Sequence, residues 1–184
     1  MNLANKITIV RMILVPVFMV LMLIDSTICR MWALAIFVIA SFSDWLDGYI
    51  ARNYNQVSDF GKFMDPLADK ILTTAAFLAL LELGRITWWG SFAIILILSR
   101  EFIVAGLRMV AGSNGKVIAA SMFGKVKTVA QMVAIIASIA LMNDTLFNVE
   151  YAIPITNVLV WISTAITVLS GIDYMWKNKS VFIG

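Results

Sequence analysis

Two pairs of aspartates in an otherwise apolar part of the chain are the residues best suited to do chemistry. Asp44 and Asp47 are three positions apart, and Asp65 and Asp69 are four apart. On an α-helix, side chains at either spacing lie on the same face. Two helices would then present two carboxylates each, and these would repel strongly at low dielectric unless cations neutralise them. Hard divalent ions such as Mg²⁺ or Mn²⁺ favour oxygen ligands, so the pattern predicts bound divalent metal.

Small residues accompany the carboxylates. Gly48 and Ala51 follow the first pair, Arg52 comes next, and Gly61 precedes the second pair. Two neighbouring metal ions are a recurring means of stabilising displacement at phosphorus, and small residues leave room for a large ligand. Singly, the aspartates would also fit a proton relay or a buried ion pair, and the small residues would fit ordinary helix packing. Their occurrence together favours a site for phosphoryl chemistry.

The composition indicates that these residues belong to a membrane protein. Of the 184 residues, 61% are hydrophobic and 14% are charged, against about 45–50% and about 25% in soluble domains. The length suggests one domain, 1–184, with lipid around much of it. The sequence contains no histidine, which excludes a Ser-His-Asp triad, a His-ligated zinc site and a histidine base within the chain. The single cysteine, Cys29, excludes an intrachain disulfide.

Six stretches are candidates for membrane-spanning helices, which need about 20 mostly apolar residues. They are approximately Ile7–Ile24, Met31–Ile50, Leu67–Leu83, Ile86–Val110, Val126–Met142 and Ala152–Trp176. Of the basic residues near the ends of these stretches, only Arg30 and Arg85 fall on the side opposite the termini. The positive-inside rule therefore predicts that both termini are cytoplasmic. Trp32, Trp88 and Trp89 would then lie at the outer interface and Trp176 at the inner one.

A second group of charges suggests an anionic substrate. Arg100 and Glu101 lie inside the fourth apolar stretch, where charged residues are costly and usually mark a functional site. Arg108, Lys125 and Lys127 could face the same cytoplasmic cavity as Arg100, and such cations bind phosphate well. The lysines could instead anchor a helix to anionic headgroups, and Arg108 could be an ordinary cytoplasmic flanking charge. Arg100 could serve only to pair with Glu101 or an aspartate.

The amino-terminal stretch carries a third polar pattern. Asn5, Thr8 and Arg11 are each three positions apart and so share one helical face. They could form a helix cap and a membrane anchor, or they could reach a nucleotide or an acceptor phosphate.

The aspartate string resembles the signature of the CDP-alcohol phosphatidyltransferase family, D-x-x-D-G-x-x-A-R, then eight residues, then G-x-x-x-D-x-x-x-D. The chain matches every specified position: Asp44, Asp47, Gly48, Ala51, Arg52, Gly61, Asp65 and Asp69. The resemblance implies an all-α integral membrane fold, a bundle of six transmembrane helices that is usually a homodimer. It also implies transfer of the phosphatidyl group of CDP-diacylglycerol to an alcohol. The expected location is a bacterial cell membrane, with the active site cytoplasmic.

The same resemblance implies roles for individual residues. Asp44, Asp47, Asp65 and Asp69 would hold two Mg²⁺ or Mn²⁺ ions, and Asp69 would also be the base that deprotonates the attacking hydroxyl. The expected CDP-diacylglycerol-binding residues are Gly48, Ala51, Arg52, Gly61, Asn5 and Thr8. The expected acceptor-binding residues are Arg100, Arg108, Lys125, Lys127 and Arg11.

The acceptor is expected from motifs outside the signature. S-R-E-F-x-V-x-G-L-R begins at Ser99 and G-K-x-K-T begins at Gly124; both extend the resemblance and imply glycerol 3-phosphate. Phosphatidylglycerol, inositol phosphate and serine are alternatives within the family. An ion-coupled transporter is the alternative of a different class, because intramembrane Asp and Arg can also line an ion path. The carboxylates gather near one face, and the inverted repeats common in transporters are not evident in the sequence.

Overall fold

The computed structural model describes the backbone of residues 3–53, 59–113, 121–143 and 149–179. Side chains are described over 6–43, 67–68, 70–112, 121–143 and 150–179. Regular structure in these ranges is entirely α-helical. The helices are α1 (Leu3–Leu23), α2 (Thr27–Asn53), α3 (Asp59–Glu82), α4 (Gly90–Ser113), α5 (Met122–Ala140) and α6 (Val149–Lys177). The prediction of six helices is confirmed, with most boundaries moved by only a few residues.

The start of α3 is the main difference from the expected boundaries. The apolar stretch begins near Leu67, and Pro66 just before it would suit the first turn of a helix. The helix instead begins at Asp59, so about two helical turns precede Pro66 and this expectation was wrong. Neighbouring groups in a membrane bundle can compensate for the backbone hydrogen bond that an interior proline removes. As a result, Asp65 and Asp69 both lie within α3 rather than at its start.

Four of the helices are long and apolar enough to cross a membrane. Their candidate spans are Lys6–Leu23, Gly90–Gly112, Met122–Ala140 and Glu150–Lys177. In α2 the described apolar segment is shorter, Thr27–Ser43. Large apolar side chains remain exposed on the outside of the bundle, as expected where lipid is the solvent. These features fit a membrane-integral protein, and membrane crossing by α2 and α3 stays a prediction.

The helices pack around a core to which all six contribute. The most extensive contacts are between α5 and α6, α1 and α2, α1 and α3, and α4 and α6. In α3, Ala75, Ala76 and Ala79 are buried, and such small residues let helix backbones approach closely in a membrane. Phe18 of α1 and Phe37 of α2 pack with ring centroids 5.9 Å apart. These contacts join α1 to α2 and place the buried side of α3 in the core.

The turn between α3 and α4 is fastened to α6. Gly84 has a φ of 67°, a left-handed conformation that glycine adopts without steric cost. The backbone N–H and the hydroxyl of Thr87 donate to Asn157 Oδ1 at 3.0 and 2.9 Å. Asn157 Nδ2 donates in turn to the Arg85 carbonyl at 3.2 Å. These bonds fix α6 along its own axis against α3 and α4, which helps to determine what its far end can contact.

Candidate functional site

The structure describes only the backbone around the aspartate signature. Asp44 and Asp47 lie in α2, and Asp65 and Asp69 lie in α3. Their side chains are outside the described residues, as are those of five other predicted ligand-binding positions: Gly48, Ala51, Arg52, Gly61 and Asn5. Among the described side chains, no group of three or more His, Cys, Asp or Glu could hold a metal. The metal prediction therefore depends on these aspartates, whose oxygen donors suit Mg²⁺ or Mn²⁺.

One buried carboxylate brings together cations from three helices. Glu101 of α4 is hydrogen-bonded through Oε1 to Lys127 Nζ of α5. The same oxygen accepts a hydrogen bond from Arg100 Nη1 at 3.3 Å. Its other oxygen, Oε2, lies 3.5 Å from Lys70 Nζ of α3. We call these four residues, Lys70, Arg100, Glu101 and Lys127, the Glu101 cluster.

Helix α6 holds the Arg100 side chain from the opposite side. Arg100 Nη2 donates to Ser170 Oγ at 2.8 Å. The next residue is Gly171, where an added Cβ would lie only 2.7 Å from Arg100 Cγ. Arg100 therefore packs directly on the α6 backbone, which only glycine permits at this distance. Its Nε is buried and has no hydrogen-bond partner among the described residues.

The Glu101 cluster has a surplus of positive charge. Lys70, Arg100 and Lys127 contribute three positive charges and Glu101 one negative charge, a net of +2 for these four residues. The side chains of Arg100, Glu101 and Lys127 are only 9–11% exposed, and that of Lys70 is 23% exposed. Cations held this close together can bind an anion through charge-assisted hydrogen bonds. The arrangement is therefore suited to binding an anion, and the carboxylate of Asp69 is carried by the residue before Lys70.

Arg108 contacts α6 about two turns beyond Arg100. Its Nε donates to the Tyr174 hydroxyl at 3.1 Å, and its guanidinium carbon lies 5.4 Å from the centroid of the Tyr174 ring. Tyr174 is 2% exposed and packs with Val104 and Leu107. A residue that served only as a flanking charge would not need these contacts, so Arg108 has a defined orientation. Along the helix it lies about 12 Å from Arg100.

Lys125 and Lys127 occupy different environments. They are two positions apart, so their side chains point about 200° away from each other around α5. Lys127 is buried in the Glu101 cluster. Lys125 is exposed and lines an apolar groove of about 430 Å³ between α5 and α6, beside residues such as Val129 and Ile162. The structure does not bring Lys125 to the same place as Lys127.

The first helix contributes two fully buried polar residues. Thr8 is 0% exposed and Arg11 is 1% exposed. A side chain that only anchored the helix to lipid headgroups would remain accessible at the surface. The burial of Arg11 therefore favours an internal role over the alternative of a membrane anchor.

Several residues of the site were not assigned by the sequence analysis. Glu101 was noticed as a charge but given no place among the predicted ligand-binding residues. Lys70, Ser170, Gly171 and Tyr174 were not singled out. A usable signal was present for two of them, because Ser170 and Tyr174 are polar and four positions apart in an apolar stretch.

The fold and the site define a class of protein: a helical membrane protein with a buried cationic site next to a helix that bears aspartates. The chain belongs to the CDP-alcohol phosphatidyltransferase family, whose model matches residues 1–169. This confirms the resemblance carried by the aspartate signature and places the protein among enzymes.

Three relatives match nearly the whole of this chain. A Bacillus subtilis protein named CDP-diacylglycerol–glycerol-3-phosphate 3-phosphatidyltransferase is 41% identical over 189 aligned residues, covering 96% of this chain and 95% of the relative. A Rickettsia bellii protein of the same name is 36% identical, covering 98% of this chain and 97% of its own. A Mycobacterium tuberculosis protein named probable phosphatidylglycerophosphate synthase is 37% identical, covering 95% of this chain and 80% of its own.

Proposed function

We propose that the protein transfers the phosphatidyl group of CDP-diacylglycerol to glycerol 3-phosphate, giving phosphatidylglycerophosphate and CMP. The names of its relatives support this reaction. The observation that carries the choice of acceptor is the group of three cations in the Glu101 cluster, within a largely buried part of the bundle. The phosphate of glycerol 3-phosphate can pair with these cations, whereas a neutral acceptor offers them no negative charge.

The nucleotide lipid would bind at the helices that carry the signature. Asp44, Asp47, Asp65 and Asp69 would hold two divalent ions, Mg²⁺ or Mn²⁺, which supply positive charge to a bound diphosphate and its leaving oxygen. Small residues beside the carboxylates leave space for the cytidine diphosphate. The positions proposed to contact it are Gly48, Ala51, Arg52, Gly61, Asn5 and Thr8.

In the proposed chemistry, Asp69 accepts the proton of the primary hydroxyl of glycerol 3-phosphate. The hydroxyl oxygen forms a bond to the lipid-linked phosphorus as the bond from that phosphorus to CMP breaks. Arg100 and Lys127, with Arg108 and Arg11 nearer the cytoplasmic end, would hold the acceptor phosphate. Most of the acceleration would come from positioning and charge stabilisation, as in other phosphoryl transfers. Lys125 is left out of this set because it is exposed to the groove.

We also propose that both termini and the active site face the cytoplasm of a bacterial cell, and that the protein is a homodimer. The distribution of basic residues supports the orientation. Labelling of a cysteine introduced at residue 182, in a Cys29→Ser background, should fail with an impermeant reagent added outside intact cells. Mass measurement in detergent should give twice the 20.4 kDa of one chain. Outside labelling or a monomer mass would contradict the respective proposal.

The reaction can be tested by following CMP release from CDP-diacylglycerol by the purified protein in detergent. Glycerol 3-phosphate, phosphatidylglycerol, inositol phosphate and serine would be supplied in turn, with Asp69→Asn protein as the control for background hydrolysis. We expect rapid CMP release only with glycerol 3-phosphate, together with formation of phosphatidylglycerophosphate. Preferential use of any other acceptor would refute the proposed function while leaving membership of the family intact.

A further inference from the structure

We propose that Glu101 is the positioning residue of the acceptor-phosphate site and that Lys70 is an additional cation of that site. Glu101 would hold Lys70, Arg100 and Lys127 at one point, so that a phosphate monoester meets three cations arranged in advance. This inference rests on the proposed function, because it assumes that the acceptor carries a phosphate.

The geometry supports a positioning role for Glu101. Its two oxygens are divided between the cations, with Oε1 contacting Arg100 and Lys127 and Oε2 facing Lys70. These cations belong to α3, α4 and α5, so one carboxylate joins three helices. Three positive charges at this separation would repel one another at low dielectric without it. Glu101 therefore allows the cations to stay together before any substrate arrives.

The cations indicate which ligand the cluster would take. Lys70, Arg100 and Lys127 surround one carboxylate, so donors for an anion come from three helices. A phosphate monoester carries about −1.5 to −2 at pH 7, so it can pair with more than one of these cations. A phosphodiester carries a single negative charge, and serine and glycerol have no net charge to contribute. The group of three cations therefore favours the terminal phosphate of a small acceptor over the phosphate of a second lipid.

Lys70 links this site to the proposed base. It directly follows Asp69 in α3, and its contact with Glu101 ties this turn of α3 to α4 and α5. An acceptor whose phosphate is held by the cluster would then have its hydroxyl delivered to the turn that carries Asp69. Glu101 touches no reacting atom in this arrangement, and its effect is exerted through the three cations.

The decisive variant is Glu101→Gln, which keeps the size of the side chain but removes its charge. Glu82→Gln is the matched control, because Glu82 is exposed at the end of α3. We expect Glu101→Gln to raise the KM for glycerol 3-phosphate by at least about tenfold, the low end for loss of a charge-assisted contact. The KM for CDP-diacylglycerol should change by less than about threefold on the same reasoning. Glu101→Asp should recover part of the loss, and Glu82→Gln should match the wild type.

A merely structural role would give a different result. If Glu101→Gln raises both KM values equally, or changes neither, in protein that stays monodisperse in detergent, the inference is wrong. If Glu101→Gln does not fold, Lys70→Gln provides the test, because it leaves Glu101 paired with Arg100 and Lys127. It should also raise the KM for glycerol 3-phosphate selectively, and an unchanged KM would overturn the inference. These failures differ from failure of the proposed function, in which the wild-type protein itself would not use glycerol 3-phosphate.

Discussion

The aspartate signature and the Glu101 cluster are assembled in opposite ways. The signature is continuous in sequence, running from Asp44 to Asp69 over the end of α2 and the beginning of α3. The Glu101 cluster combines residues from α3, α4 and α5, and Ser170 of α6 supports it. A site whose residues are spaced three or four positions apart along one stretch of chain can be recognised from the sequence alone. A site built from distant helices depends on how those helices are rotated and packed.

The comparison predicts distinct consequences when each region is disturbed. Damage to the signature should reduce turnover with every substrate. Damage to the cluster should change mainly the use of the acceptor.

Metal removal should have the largest effect. Exhaustive treatment with EDTA should abolish CMP release, because four carboxylates would be left without the cations that neutralise them. Readdition of Mg²⁺ or Mn²⁺ should restore activity, whereas Ca²⁺, which prefers more ligands and longer distances, should restore less. Full activity after chelation would remove the metal from the proposed mechanism.

The next largest effect is expected for Asp69→Asn. Loss of the proposed base should lower kcat by at least about 10²-fold, and more if Asp69 also holds metal. Both KM values should change less than kcat. The measurement is steady-state CMP release with both substrates saturating. A variant with nearly wild-type turnover would exclude Asp69 as the base.

Lys127→Ala and Lys125→Ala form a pair that tests the acceptor site directly. Lys127→Ala should raise the KM for glycerol 3-phosphate by about 10- to 150-fold, because a buried charge-assisted contact is lost. Lys125→Ala should have little effect, because Lys125 is exposed on the other face of α5. Equal effects of the two substitutions would mean that the cations act as a general electrostatic attraction rather than as a defined site.

A smaller effect is expected for Gly171→Ala. The new methyl group would meet Arg100 Cγ at 2.7 Å, so Arg100 must move away from Ser170. We expect the KM for glycerol 3-phosphate to rise about tenfold, corresponding to loss of a single charge-assisted hydrogen bond. Gly106→Ala is the matched control, since an added Cβ there has no neighbour within 4 Å among the described residues. Similar kinetics for the two variants would argue against a role of α6 in holding Arg100.

The sequence alone was sufficient for the parts of the protein that depend on local spacing. Six long apolar stretches predicted six helices, because the thickness of a bilayer sets the approximate length of a spanning helix. The aspartate spacing identified the family, and the match of the family model to residues 1–169 confirms it. The start of α3 was missed because the prediction followed apolar residues, and the first turns of α3, from Asp59, are more polar than the rest of the helix. Tertiary contacts can stabilise a helix beyond its apolar part.

Only the tertiary structure decided which charges meet. Helical geometry places Lys125 and Lys127 on opposite faces of α5, but it does not say which face points inward. That choice depends on packing against α6 and on the carboxylate of Glu101, which no local pattern connects to Lys127. Likewise, Gly171 looks like any small residue of a membrane helix until Arg100 is seen to pack on it. The rotation of each helix about its axis is determined by burial and ion pairing over the whole bundle, and the acceptor site depends on that rotation.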